Sequence, residues 1–119
     1  MRWILVVLFL SPLAALATSE SAAKERAVAI CNQQKKKIAP EKWEKGPCIS
    51  DGQNGLTDWV VDVAHSPRQE VDDQPSNQCS AFLHNKIKNF VELDTSCNVI
   101  RSQSKQVGDS RQVSRAAER

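Results

Sequence analysis

Four cysteines, Cys31, Cys48, Cys79 and Cys97, constrain this chain more than any other feature, and the N-terminal segment says how to read them. Arg2 supplies a positive start, Trp3 to Leu10 an unbroken apolar run, and Ala15-Leu16-Ala17 the small-x-small pattern that signal peptidase cuts. A retained anchor would need about 20 apolar residues, and Ser11-Pro12 interrupts the run well before that. Residues 1–17 therefore read as a cleavable signal peptide, with Thr18 as the first mature residue. The expected localisation is periplasmic or secreted. In such an oxidising compartment an even number of cysteines is expected to pair as disulfides. Zinc is disfavoured because no two cysteines stand close enough in sequence for the C-x₂₋₄-C pairs that structural sites use.

Four cysteines allow three connectivities. The spacing from Cys31 to Cys48 nearly repeats from Cys79 to Cys97, each time joining a predicted helix to the strand after it, so pairing 31–48 with 79–97 is the expectation. Its main competitor is 31–79 with 48–97. Either would reinforce a small core, since a domain of this length buries only roughly 60 to 65% of its extended-chain surface.

The hydrophobic pattern places the elements. Ser19-Glu20-Ser21 forms an N-cap cluster, and Ala23, Ala27, Ile30, Cys31 and Ile38 recur at helical spacing until Pro40. Lys35-Lys36-Lys37 suits the negative end of that helix and is too short for a lipid- or nucleic-acid-binding cluster. After the turn signals Gly46-Pro47, Asp51-Gly52 and Asn54-Gly55, with a short strand near 47–50, the run from Leu56 to Ala64 alternates as a strand. It directs Trp59, Val61 and Val63 to one face and Val60, Asp62 and Ala64 to the other. A second helix is predicted from about Asp72, Asp73 or Ser76 to Lys86. Two strands follow at 89–94 and 98–101, joined at Thr95-Ser96-Cys97. Residues 102–119 read as a polar tail, disordered or a frayed helix, because they hold too little apolar surface to offset ordering.

Without Arg2 the mature chain would carry a net charge of about +1, which argues against nucleic acid as partner. No catalytic signature stands out. His65 lies three residues after Asp62, on the opposite face of a strand, and His84 suits a helix C-terminus. The densest run of recognition-type side chains is 65–78, stiffened by Pro67 and Pro75. Its His65, Arg68, Glu70, Asp72, Asp73 and Asn77 are the candidate partner-binding residues, on the ground that a polar loop on a rigid scaffold is a common binding device. The loop lacks the ligand ladder of a calcium-binding EF-hand, and no cofactor is expected.

The predicted fold class is α+β: a small disulfide-stapled domain over 18–101 in the order α-β-β-α-β-β, with two helices on one face of an antiparallel sheet of about four strands. In outline this resembles the compact α+β domains that exported proteins use as inhibitors or propeptide modules. The expected function is an exported binding module acting by protein–protein interaction, of the inhibitor or immunity type, without stable membrane insertion. The alternatives are a small secreted hydrolase using His65 or His84 and a structural accessory subunit of a cell-envelope complex.

Overall fold

A computed structural model describes residues 17–105; the expected signal up to residue 16 and the expected tail from 106 lie outside the described residues. Helix α1 spans Glu20–Lys37 and α2, a single turn, Pro40–Trp43. Strands β1 (Cys48–Asp51) and β2 (Trp59–Val63) follow. A crossover over 64–88 then carries 3-10 turns at Glu70–Asp73 and Pro75–Asn77 and the one-turn helix α3 at Ser80–Leu83. Strands β3 (Asn89–Leu93) and β4 (Val99–Gln103) close the fold. Two residues assigned from sequence to the tail, Ser102 and Gln103, belong to β4.

The α1 helix starts where the cap chemistry puts it, with the Ala22 amide donating to Ser19 Oγ at 3.2 Å. Its buried stripe is Ala23, Ala27, Ile30 and Cys31. The two alanines keep the helix close to the sheet, where Trp59, Val61, Val63, Val91 and Leu93 complete the core. The two buried tryptophans find acceptors for their indole N–H groups, Trp43 at Thr95 O (3.0 Å) and Trp59 at Thr18 O (3.2 Å).

The four strands lie in the order β1-β2-β3-β4. Both outer pairs are antiparallel, but β2 and β3 run parallel, so the sheet is mixed rather than antiparallel. The reason is connection length: 52–58 and 94–98 suit hairpins, whereas 64–88 is long enough for the crossover that a parallel pair needs. This crossover also occupies the face opposite α1, so the helical elements cover both faces rather than one. Val60 is accordingly buried, at 2% exposure.

The second helix expected from Asp72 to Lys86 forms only as short turns. Gln74, preceding Pro75, is held extended (φ −70°, ψ 128°), and the Asn77 side chain donates to Val71 O at 3.0 Å, diverting helix-type bonding. Asn85 ends α3 with φ 56°.

The disulfides are Cys31–Cys97 and Cys48–Cys79, the third connectivity and neither of those favoured from spacing. The sequence repeat misled because it ignored the faces. Cys31 lies on the buried stripe of α1 and meets the β3–β4 turn, while Cys79, on the crossover, meets β1. Each bridge fastens one layer to the sheet. Non-reducing peptide mapping is expected to recover linked 31–97 and 48–79 fragments, and a linked 31–48 fragment would refute this topology. No helix among the described residues is long and apolar enough to cross a membrane.

Candidate functional site

Alternation in Trp59–Val63 aims Val60 and Asp62 away from α1, and alternation in Asn89–Leu93 does the same for Phe90 and Glu92. The parallel register sets Val60 beside Phe90 and Asp62 beside Glu92. On the next strand Arg101 stands opposite Glu92. One row across three strands thus reads Asp62, Glu92, Arg101, and beside it lies the apolar pair Val60 and Phe90. The crossover brings Arg68, Gln78, Cys79 and Phe82 over this face, leaving a recess of about 130 Å³ lined by all nine residues.

The recess is wired asymmetrically. Glu92 Oε2 accepts from Arg68 Nη1 at 3.0 Å and from Arg101 Nη2 at 3.2 Å. The other Arg68 nitrogens are also engaged: Nε donates to Asp73 Oδ1 at 2.8 Å and Nη2 to Asp72 O at 3.3 Å. The Asp73 hydrogen bond raises the Arg68 pKa above its ordinary value, against some loss from burial. The half-exposed Arg101 guanidinium lies 5.4 Å from the centre of the Phe90 ring. Phe82, 38% exposed, meets that ring edge-on at 5.4 Å.

Asp62 is the exception. Its Oδ1 is buried with no hydrogen-bond partner among the described residues. Burial, followed by the Glu92 charge, pushes its pKa from 3.8 up to about 8, although Arg68 pulls the other way. The raised value favours the protonated form at neutral pH, beside a carboxylate held by two guanidiniums.

The candidate residues of 65–78 take several positions. Asp72 is buried at 2% exposure, and its oxygens accept from the His65 and Gln69 amides at 3.1 and 2.8 Å and meet His65 Nδ1 at 2.9 Å. Burial alone would raise its pKa, but those backbone and ring contacts hold it below the usual carboxylate range. Gly46 makes room for this cluster: it has φ +71°, and a Cβ there would lie 2.8 Å from Asp72 Oδ1 and 2.7 Å from Val63 O. Arg68, Asp73 and Asn77 likewise bond within the domain, and Arg68, Glu70 and Asp73 are exposed. His84 Nδ1 sits 3.2 Å from Ser80 Oγ.

Cys48, Asp51 and Cys79 approach one another as metal ligands would, but the two sulfurs are bonded together and offer no thiolate. Asp51 Oδ1 instead accepts from the Ala81 amide at 2.9 Å.

Asp62, Glu92 and Arg101 were not singled out from sequence. The available signal was a lone acid at the same place in two apolar strands, Trp-Val-Val-Asp-Val and Asn-Phe-Val-Glu-Leu. Comparison with protein-family models, curated proteins and solved structures returns no match to this chain.

Proposed function

We propose that this domain is a binding module acting outside the cytoplasm, of the inhibitor or immunity type, and that its contact surface is the recess on the crossover face. The observation that carries this reading is the convergence of Asp62, Glu92 and Arg101 with the apolar walls Val60, Phe82 and Phe90 in one concavity. A mostly apolar hollow with a few directed polar groups is the usual form of a recognition site. Two disulfides fit an oxidising compartment, in agreement with the signal-like residues 1–17. Phe82 and Arg101, both partly exposed, are residue types enriched at interfaces, and arginine is among those that carry much of the binding energy. The exposed Glu70 and Asp73 extend this surface along the crossover.

The test is capture of a partner from the organism's own envelope fraction by the disulfide-bonded protein and its variants. Phe82→Ala and Arg101→Ala are each expected to weaken capture about tenfold, corresponding to about 1.4 kcal/mol, with unfolding midpoints close to wild type. Glu70→Ala should act less. Capture that ignores both recess substitutions would place the interface elsewhere.

A hydrolase is the second reading, favoured by the neighbouring carboxyls of Asp62 and Glu92. Unlike environments for paired acids are the pattern of acid/base catalysis, and loss of a measured turnover in Asp62→Asn would select it. His65 and His84 serve it less well, one being committed to Asp72 and the other lying beside Ser80.

A further inference from the structure

We propose that the recess seats one primary ammonium group on a short aliphatic stem, as at the end of a partner's lysine side chain. This rests on the binding-surface reading above and names the chemistry that surface recognises.

Charge inventory decides the sign of the ligand. The charged groups around Asp62 are Glu92 from β3, Arg101 from β4, and Arg68 with Asp72 from the crossover, Arg68 also holding Asp73; β1 contributes the non-titrating half-cystine Cys48 and, at its end, Asp51, which accepts from the Ala81 amide of the crossover. Glu92, Asp72 and Asp73 stand against Arg68 and Arg101, three formal negative charges against two positive, and ionising Asp62 adds a fourth negative charge. One added cation offsets part of that excess, whereas an added anion increases it.

Hydrogen bonding gives the same answer. Once Asp62 gives up its proton, its unpartnered Oδ1 can only accept, and an ammonium brings three donors where a carboxylate brings none. A divalent metal is a poor match, because calcium takes six to eight oxygen ligands and the nearby carboxylate oxygen Glu92 Oε2 is already held by two arginines. Val60, Phe82 and Phe90 supply apolar contact for a stem. The volume of about 130 Å³ is close to the ~150 Å³ cavity that admits benzene, a molecule of similar size to butylammonium.

Seating a cation there expels the Asp62 proton, so binding is linked to pH. Affinity rises by about tenfold per pH unit well below the Asp62 midpoint and levels off above it. The probe is n-butylammonium chloride, with sodium butyrate as the opposite-charge arm. Each is titrated into the disulfide-bonded protein at pH 5.5 and 7.5 at constant ionic strength, with amide chemical shifts as readout.

Saturable shifts at Asp62, Phe90 and Glu92 with butylammonium are expected, and an apparent Kd that falls more than tenfold from pH 5.5 to 7.5. Asp62→Asn should bind more weakly and equally at both pH values. Phe82→Ala should weaken binding while keeping its pH dependence. A preference for butyrate, pH-independent ammonium binding, or no saturable shift from either probe overturns the proposal. If the probes fail while Phe82→Ala and Arg101→Ala still weaken partner capture, the ammonium is wrong and the binding surface stands. If capture is also insensitive, both fall.

Discussion

Replacing Cys31 and Cys97 together by serine is expected to lower the unfolding free energy by about 4 kcal/mol. The bridge closes a sequence separation of 66 residues, and the chain-entropy relation for disulfides gives roughly 4 kcal/mol at that length. The separation of 31 for Cys48–Cys79 gives about 0.7 kcal/mol less by the same relation. Such losses are large against the roughly 5 to 15 kcal/mol that holds an ordinary domain together. The core is built to need them. Two of the α1 residues facing the sheet are alanines, which bury little area, and α3 is a single turn. Urea titration of wild type and the two double-serine variants measures the effect. A loss below about 1 kcal/mol for Cys31→Ser/Cys97→Ser would show that the packed layers hold without the staple. The second pair differs in kind: releasing Cys79 from β1 loosens the crossover over Asp62, so hydrogen exchange in β2 should rise more in that variant than in the first.

What could be read from the sequence divides along the same lines as the physics. Local chemistry was legible: Ser19 caps α1, Pro40 follows its end, and Trp59, Val61 and Val63 face it as the alternation requires. Strand positions came out within a few residues because each strand carries its own pattern and is bounded by turn residues. The pairing of cysteines was not legible, since it depends on which layer lies on which face. The parallel β2–β3 pair was hidden for the same reason, because a long polar connection reads as a loop until its ends are placed. The second helix failed where proline and side-chain bonds from Asp72 and Asn77 captured the backbone first. As for the site, the polar loop drew attention through its composition. The structure engages Asp72, Arg68 and Asn77 in hydrogen bonds within the domain, with Arg68 also lining the recess, while the single acids Asp62 and Glu92 inside apolar strands carried no such compositional signal. A lone acid in a strand reads as solvent-facing when only one face is expected to be covered. Once the crossover covers the second face, the same residue becomes a buried acid.

Asp62→Asn is accordingly expected to stabilise the protein, and increasingly so as pH rises. The Asp62 midpoint moves from 3.8 to about 8 on folding, so the folded state prefers the protonated form. A raised folded-state value means that this group's contribution to stability is fully present below about pH 4, declines above it, and is lost once pH passes about 8. Asparagine has nearly the same shape and never ionises, so it escapes that decline. At 1.36 kcal/mol per pKa unit the difference is bounded at about 6 kcal/mol, and relaxation with water entry around a largely buried carboxylate reduces the expected gain to roughly 2 to 3 kcal/mol at pH 9. Urea unfolding of both proteins at pH 4, 7 and 9 provides the check. The two stabilities should be close at pH 4 and separate progressively to pH 9. A constant difference, or a variant less stable at pH 9, would mean that Asp62 is satisfied in the fold. The same substitution is predicted to remove the pH-linked ammonium binding. A residue that costs stability at working pH yet is needed for recognition is the usual signature of a site shaped by function rather than by packing, and measuring both effects in one variant tests whether Asp62 is such a residue.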